Sequence, residues 1–327
     1  MKFKSILQTL AVLVALSGVI QAQAGEFVIG RYAGEFLELG AGARALAMGA
    51  AAVARPIPAT AGYYNPSALA GLSKQHIEFM HASQFDNLFT YDYLSLARPM
   101  RNGSAGSLTL LYTRVGDIPL TKLADPSQPL SDENRVLVDK KTGDNELALL
   151  ASMGRATASG WRIGATAKLL SKSVADETAF GIGVDLGCGR TLAKNLDFGL
   201  AARNITTSIL AWSTGRTEAI LPSVAVGSAW EKALPAVNAR VVFVADLEGH
   251  FESRGEAEQL DAGPLTANPH VGVEYIILET VALRGGYQGE YLTAGAGLNI
   301  SSLSVNAAFQ DHEDLGFTHR VSVGLAW

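Results

Sequence analysis

The sequence predicts an all-β fold: a transmembrane, antiparallel β-barrel of about fourteen strands with a small, partly helical plug at its N-terminal end. Three observations predict this fold. Most of the chain alternates between apolar and small or polar residues, its longest connections follow odd-numbered segments, and its aromatic residues lie at segment ends. We expect residues 1–24 to be a signal peptide, 25–74 the plug and 75–327 the barrel.

The N-terminal end has the pattern of an export signal. The first four residues include two lysines, an uncharged stretch covers residues 6–20, and Ala22-Gln23-Ala24 forms a small-x-small cleavage site. The uncharged stretch is shorter than the roughly 20 residues of a membrane-spanning helix, which favours a cleaved signal peptide over a membrane anchor. The single cysteine, Cys188, is far from this site, so we expect neither a lipidated N-terminus nor an intrachain disulfide.

The strand prediction rests on alternation with a period of two. Every second residue from Phe180 to Cys188 is apolar, and the segments at Trp161, Leu196 and Val237 follow the same pattern. A transmembrane strand turns alternate side chains towards lipid and towards the lumen, which produces this dyad over about 10 residues. The segments begin near Gln75, Leu88, Ser104, Asn145, Gly160, Thr178, Asn195, Leu221, Val237, Pro269, Thr280, Tyr291, Leu303 and Phe317.

Connection lengths argue against the alternative of a soluble β-sandwich or β-helix. The three longest connections, roughly residues 116–144, 206–220 and 248–268, follow the third, seventh and ninth segments. Connections after even-numbered segments are short, such as residues 156–159. Outer-membrane barrels have short periplasmic turns and longer extracellular loops. With both ends of the barrel in the periplasm, all three long connections are therefore extracellular, and we expect the protein in the outer membrane.

The aromatic residues support the same topology. Outward-facing aromatics are expected at periplasmic strand ends for Trp161, Trp230 and Trp327, and at extracellular ends for Phe180, Tyr287, Phe309 and Phe317. Aromatic girdles of this kind lie at the two membrane interfaces. In the last segment, Val323, Leu325 and Trp327 share one face, which looks like the C-terminal signal read by the barrel-assembly machinery. We therefore expect that machinery and outer-membrane lipids as partners.

Residues 25–74 do not alternate, and we expect them to fill the lumen. Eight strands fill a barrel with their own side chains and sixteen leave a channel, so about fourteen leave room for a plug. Glycines at inward positions of the predicted strands widen that room. Arg44 is the main charge of the helical part, and we expect it to pair with an inward acid. The candidates are Asp185, Asp197, Asp246 and Glu274. The alternative is a flexible periplasmic extension.

The plug also carries a family resemblance. Residues 36–49 read Phe-Leu-Glu-Leu-Gly-Ala-Gly-Ala-Arg-Ala-Leu-Ala-Met-Gly, and an Asn-Pro turn follows. The motif residues are Gly40, Gly42, Arg44, Met48, Gly49, Asn65 and Pro66. This pattern resembles the N-terminal motif of the PorV/PorQ family, a branch of the FadL-like outer-membrane barrels, and implies a fourteen-stranded barrel with a hatch. Two departures are Ser67 in place of the alanine of an Asn-Pro-Ala motif, and Arg-Pro-Ile-Pro at 55–58 where relatives tend to be acidic.

Two function classes remain open. The resemblance implies a non-enzymatic accessory in protein export across the outer membrane, of the type IX kind, with secretion machinery or cargo as partner. The alternative is a FadL-like passive channel whose ligand is a hydrophobic small molecule such as a long-chain fatty acid. In either case we expect Ile209, Leu210 and Trp212 to form an extracellular contact, because exposed apolar clusters mark binding surfaces. A connection folded inward as a cap over the plug is the alternative for these residues.

We expect no enzymatic activity, cofactor or metal site. The sequence contains no nucleophile elbow, zinc-protease motif or phosphate-binding loop, and its six histidines are dispersed. The acidic residues between 117 and 133 fit a solvated loop better than a cation site. The formal net charge of −5 does not suggest nucleic acid as a partner. Inward charges of both signs predict a wet lumen whose ions pair with one another.

Overall fold

The computed structural model describes residues 27–30, 33–84, 88–252, 259–261, 263, 265–289, 291–312 and 316–327. The predicted signal peptide lies outside these residues, and the side chain of Phe317 is not described either. Over the described ranges, no helix has the length and apolar character needed to cross a membrane. The strands of these ranges are β1 (Phe27–Ile29), β2 (His76–Gln84), β3 (Phe89–Pro99), β4 (Ser104–Leu123), β5 (Val136–Ala156), β6 (Arg162–Val174), β7 (Glu177–Ala193), β8 (Leu196–Arg203), β9 (Ser208–Trp212), β10 (Thr217–Ile220), β11 (Ser223–Leu234), β12 (Ala239–His250), β13 (Leu260–Asp261), β14 (Thr266–Ile277), β15 (Val281–Gln288), β16 (Tyr291–Ile300), β17 (Leu303–His312) and β18 (Gly316–Ala326).

Short helices occupy the segment before β2, in agreement with the prediction of a small, partly helical N-terminal part. Two are α-helical, α1 (Ala43–Leu46) and α2 (Ala61–Tyr64), and three 3₁₀ helices cover Glu35–Leu37, Pro58–Thr60 and Pro66–Leu69. None exceeds four residues, so their stability comes from packing rather than from helix propensity.

The strands close into one barrel. β2 pairs with β18, and beyond that ladder the backbones of Gln75 and Trp327 exchange two hydrogen bonds of 2.9 and 3.0 Å. Successive barrel strands are antiparallel throughout, and fourteen strands cross the membrane when β8 with β9 and β10 with β11 are each counted once. The predicted fold class is confirmed. Each predicted alternating segment overlaps one of these strands.

Two neighbouring barrel strands are interrupted at the same height. β8 stops at Arg203 and resumes as β9 after a turn in which Asn204 and Thr207 have φ angles of 52° and 56°. β10 and β11 are separated by Leu221 and Pro222, and a proline has no N–H for a ladder hydrogen bond. β9 pairs with β10 above the interruption, while β11 pairs with β8 below it. The 206–220 connection is therefore a bent β-hairpin, and the prediction of a long loop there was wrong.

The 116–144 connection also differs from the predicted loop. β4 continues to Leu123 and β5 begins at Val136, so these residues form a two-stranded extension of the barrel wall. Register and alternation are not constrained by lipid beyond the membrane, which explains why the sequence pattern did not reveal these strands. In the 248–268 connection, β12 ends at His250 and β14 begins at Thr266. Residues 253–258, 262 and 264 of this connection are not among the described residues.

The outward surface is an apolar band with aromatic residues near both rims. Outward leucines on β3, β4 and β16, namely Leu94, Leu108 and Leu292, are 42%, 53% and 70% exposed. Of the predicted girdle residues, Trp230, Trp327, Phe180 and Phe309 are exposed outward-facing aromatics, and Trp230 stacks on Phe243 with ring centroids 5.7 Å apart. In water this apolar band would be exposed, whereas the lipid of the outer membrane covers it. The protein is an outer-membrane β-barrel.

Inward-facing glycines allow the plug backbone to touch the barrel wall. A Cβ atom added at Gly164 would lie 2.4 Å from the carbonyl carbon of Pro66, and one added at Gly286 would lie 2.3 Å from the backbone nitrogen of Gly49. The same close approach occurs at Gly154, Gly199 and Gly272. From the sequence, these glycines were expected to widen the lumen. They instead remove side chains where plug backbone fills the space.

This packing makes a prediction for two adjacent glycines of β15. Gly286→Ala places a methyl group against the plug backbone, whereas an added Cβ at outward-facing Gly285 has no neighbour closer than 3.9 Å. We expect Gly286→Ala to lower the unfolding free energy by about 1–3 kcal/mol, as overpacked cores do, and Gly285→Ala to leave it unchanged. Heat-modified mobility of the purified barrel across a temperature series measures both. Equal stability of the two variants would contradict the packing described.

Candidate functional site

The N-terminal segment follows a path through the lumen from the extracellular to the periplasmic end and partly back. β1 pairs in parallel with β10 in the extracellular hairpin, so the described chain enters the barrel from that side. Residues 40–53 cross the middle of the lumen and residues 55–58 lie at the periplasmic mouth. α2 and the Asn65-Pro66 turn return into the barrel before the chain reaches β2. The lumen is therefore occupied over its whole height.

Barrel side chains satisfy the backbone of this plug. Asp246 of β12 accepts hydrogen bonds from the N–H groups of Ala52 and Val53 at 2.6 and 2.8 Å. Gly49 donates its N–H to the Thr293 hydroxyl at 3.0 Å, and its carbonyl lies 2.8 Å from Nδ1 of His270. Irregular backbone at membrane depth needs such partners, because no lipid group can supply them.

Tyrosines hold the extracellular end of the motif. The Tyr91 hydroxyl on β3 donates to the Gly40 carbonyl at 2.8 Å, and the Gly40 N–H donates to the Tyr63 hydroxyl at 2.9 Å. Tyr64 accepts the N–H of Ala41 at 2.9 Å. Gly40 has a φ angle of 82°, which favours glycine. The motif therefore begins at a turn that three tyrosine hydroxyls fix in place.

Asn65 connects the two halves of the plug to the wall. Its side-chain N–H groups donate to the carbonyl oxygens of Val53 and Cys188 at 2.9 and 3.1 Å. Its Oδ1 accepts from the backbone and hydroxyl of Ser67 at 3.1 and 2.7 Å. Ser67 thus adds a hydroxyl hydrogen bond that the alanine of related motifs lacks. Pro66 packs at the wall where Gly164 has no side chain.

Arg44 makes the central ion pair of the plug, and its partner is one of the four predicted candidates. Its Nε and Nη2 donate to the two carboxylate oxygens of Glu274 at 2.8 and 2.5 Å. Arg284 of β15 donates to the same carboxylate at 2.8 Å. The side chain of Glu274 is 1% exposed, so this acid is buried between two guanidinium groups. Two-pronged pairing orients the helix α1 as well as neutralising the charge.

Arg55 anchors the plug at the periplasmic mouth, and the sequence analysis did not identify this residue as a site. Its guanidinium contacts Asp197 of β8 at 3.0 Å and Glu231 of β11 at 2.5 Å. Arg240 also contacts Glu231, at 3.3 Å. The available signal was a cation beside two prolines, in the run Arg-Pro-Ile-Pro at 55–58.

The extracellular half of the lumen has an apolar wall. The inward apolar side chains are Met80, Ala82, Tyr91, Tyr93, Leu111, Ala148, Leu150, Leu170, Ala179, Leu210, Ile220 and Ala308. They pack against Phe36, Leu46, Tyr63 and Tyr64 of the plug. Porin lumens are polar, so an apolar wall facing the lumen is a distinctive property of this barrel.

The neighbouring part of the wall is charged. Lys168 pairs with Asp185 at 2.6 Å, and Arg203 pairs with Glu248. These residues border a closed cavity of about 60 Å³ beneath Tyr63. A polar cavity of this size holds water, and it is smaller than the roughly 150 Å³ apolar cavity that admits benzene. Internal pairing of the inward charges was predicted correctly.

The predicted extracellular contact residues lie in hairpin β9–β10. Leu210 points into the lumen and is fully buried in the apolar wall, so it is not an exposed contact. Trp212 is half-buried and borders an extracellular crevice of about 630 Å³ with Ile29, Val174 and Arg216. Ile209 lies on the opposite, lipid-facing side of the hairpin. The bend between β8 and β9 turns this strand inward, which the linear sequence does not show.

The remaining predicted residues belong to the last strand. Val323, Leu325 and Trp327 are 44%, 44% and 51% exposed and share the outward face of β18.

Met48 of the plug motif is buried against the wall at Gly272. Within the described ranges, no group of three or more His, Cys, Asp and Glu side chains is arranged to bind a metal ion.

These features define a class of protein: a plugged, fourteen-stranded outer-membrane β-barrel with a partly apolar lumen. Its fold is shared with solved structures of hydrocarbon channels. The structure of the CymD monoaromatic hydrocarbon channel aligns with a TM-score of 0.58 at 11% identity, covering 91% of this chain and 98% of that one. The toluene transporters TodX of P. putida and TbuX of Ralstonia pickettii align with TM-scores of 0.55 and 0.53, each at 13% identity over 88% of this chain and 97% of theirs.

Comparison by sequence gave no counterpart to these structural matches. No protein-family model matches the chain. No curated protein matches it either.

The Arg44–Glu274 pair yields a prediction. Arg44→Met removes one of two guanidinium groups from a carboxylate that stays buried, which costs about 3–5 kcal/mol for comparable buried pairs. We expect lower thermal stability and a measurable ion leak in planar bilayers, because α1 loses its anchor to the wall. Arg101→Met, in an exposed periplasmic turn, is the control and should change neither property. A sealed and equally stable Arg44→Met barrel would contradict this role.

Proposed function

We propose that this protein is a passive, non-enzymatic channel for hydrophobic small molecules across the outer membrane. One observation carries the proposal: inward-facing apolar side chains from nine strands form one continuous part of the wall in the extracellular half of the lumen, beside a separate charged part. A polar solute gains nothing from such a wall. An apolar solute gains about 25 cal/mol of favourable free energy for each Å² of its surface that is transferred from water to the wall.

The entrance in this proposal is the crevice beside Trp212. It combines the apolar side chains of Ile29, Val174 and Trp212 with charged groups at its rim, and its volume of about 630 Å³ accommodates a small hydrocarbon. The crevice lies on the extracellular hairpin whose next inward residue, Leu210, belongs to the apolar wall. A molecule that enters here meets apolar surface continuously from the outside to the lumen.

The plug is the barrier along this route. Phe36, Leu46 and Tyr64 occupy the space beside the apolar wall, and the remaining closed cavity is only about 60 Å³. Passage therefore requires displacement of part of the plug. Residues 33–49 are the part that faces the apolar wall, and Arg44 holds their lower end. Transport needs no energy source, because a gradient drives an apolar solute once this segment shifts.

The structural relatives support the same class of cargo. CymD is described as a monoaromatic hydrocarbon channel, and TodX and TbuX as toluene transporters. Their names are the basis for including aromatic hydrocarbons beside long-chain fatty acids among the compounds to be tested. The lumen residues themselves favour an apolar solute without selecting one compound.

Flux into liposomes tests the proposal. Vesicles that contain the protein should take up toluene or laurate faster than empty vesicles, while glucose enters at the rate of empty vesicles. Replacing Leu210 and Trp212 with serine should reduce hydrophobic flux at least fivefold, because it interrupts the apolar path at the entrance. Thr214→Ser in the same hairpin turn is the matched control. Equal entry of glucose and toluene, or no toluene flux at all, would exclude a hydrophobic channel.

An accessory role in protein export, of the kind implied by the PorV/PorQ resemblance, is the second candidate. The observation in its favour is the closed lumen: a scaffold for secretion machinery or cargo needs no path through the barrel. A deletion strain separates the two functions. Loss of surface-exposed exported proteins with normal hydrocarbon uptake favours export, and the reverse result favours the channel.

A further inference from the structure

The extension of β4 and β5 is a free-standing β-ribbon on the extracellular side. The pairing of β3 with β4 ends at Phe89–Val115, and the pairing of β6 with β5 ends at Asp144–Val174. Residues 116–123 and 136–143 then pair only with each other among the described strands. At about 3.4 Å per residue the ribbon rises roughly 25 Å above the barrel rim. We infer that this ribbon is a docking arm for a protein partner that encloses it in an apolar cleft.

Both faces of the ribbon present apolar side chains to water. Val136 and Val138 lie on one face and Leu137 on the other, because successive strand residues point to opposite sides. Their exposed fractions are 49%, 61% and 51%, and Leu130 at the tip is 67% exposed. A two-stranded ribbon has no core in which to hide these groups, and isolated hairpins are marginal in water. Covering them is therefore favourable, and the ribbon carries the apolar surface of an interface.

The tip of the ribbon is built to hold one shape. Asn134 is 4% exposed and donates to the carbonyl oxygens of Asp125, Gln128 and Pro129, while its Oδ1 accepts the N–H of Asp125 at 2.7 Å. The hydroxyl and backbone N–H of Ser127 donate to the Asp125 carboxylate and hold its pKa below the usual value. A preformed tip loses little conformational entropy when it binds, which suits recognition.

The charges of the ribbon restrict the partner. Lys122 pairs with Asp139 at 2.7 Å and Lys141 with Asp117 at 3.2 Å, so the ribbon neutralises these charges itself. The paired stem therefore attracts an acidic or basic partner surface weakly, and further charges are at the tip: Asp125, Asp132, Glu133 and Arg135. Residues 116–143 also contain no aromatic side chain on which a sugar ring could stack. These properties favour an uncharged, apolar protein cleft over the phosphates and sugars of the cell surface.

The edges and the area of the ribbon decide how the partner binds. Pro119 and the bulge between Leu120 and Thr121 interrupt the free edges, which disfavours addition of a further strand. One face offers roughly 300 Å², well below the roughly 800 Å² per partner of a stable interface. A second copy of this ribbon covers only one face. A cleft that encloses both faces and the tip reaches the required area.

Photocrosslinking in the outer membrane of intact native cells tests this inference on the full-length protein. Benzoylphenylalanine at Val138 and, separately, at Leu137 should crosslink to the same single protein, identified by mass spectrometry, whereas the probe at Asp117 near the ribbon base gives little adduct. The purified partner should then bind the full-length barrel at least tenfold more weakly when Leu137 and Val138 are both serine. Thr121→Ser on the same ribbon is the control, and heat-modified mobility verifies that each variant is folded.

Several results would overturn the inference. An adduct with the mass of two copies indicates a homodimer, and a ladder of lipopolysaccharide adducts indicates contact with the cell surface. The absence of any adduct, different proteins from the two faces, or unchanged affinity of the double serine variant would each exclude an enclosing protein partner.

Discussion

Backbone-to-backbone contact between the plug and the barrel wall is the constraint on which the rest of this structure depends. Contact at Gly164, Gly272 and Gly286 brings plug atoms to distances that no side chain permits. At these contacts neither water nor lipid can reach the plug backbone, so its polar groups need partners in the wall or within the plug. Asp246 and Thr293 supply such partners, and the fold of the plug is defined as much by β12 and β16 as by its own short helices.

The same contact divides the lumen into two functional surfaces. On one side the plug meets apolar side chains such as Leu111 and Leu150, and this contact is mainly packing, with added hydrogen bonds from the hydroxyls of Tyr91 and Tyr93. On the other side it is held by charge, through Arg44 at mid-height and Arg55 at the mouth. Packing contacts exchange readily for an apolar solute of similar size, whereas buried ion pairs resist displacement. The proposed route therefore follows the apolar side, and the charged side keeps the plug attached while the other part shifts.

Alternation predicted the membrane strands well because lipid imposes a period of two on every one of them. It failed where lipid is absent: the ribbon at 116–143 and the bent hairpin at 206–220 obey local pairing instead. The inward glycines could be identified from the sequence, but their role could not. A glycine that leaves a gap in the wall and a glycine that contacts plug backbone look the same in a sequence. Likewise, the sequence predicted that Arg44 pairs with one of four inward acids, and only the three-dimensional structure shows that the partner is Glu274.

The central claim is that part of the plug must move for an apolar molecule to cross. Gly34→Cys with Ile220→Cys, in a Cys188→Ala background, allows the apolar side of the plug to be tied to β10 by a short, reducible bifunctional thiol reagent. Toluene flux into liposomes is then measured on the same preparation before crosslinking, after it and after reduction. The account predicts at least a tenfold fall on crosslinking and full recovery on reduction. Unchanged flux through a completely crosslinked barrel would contradict it.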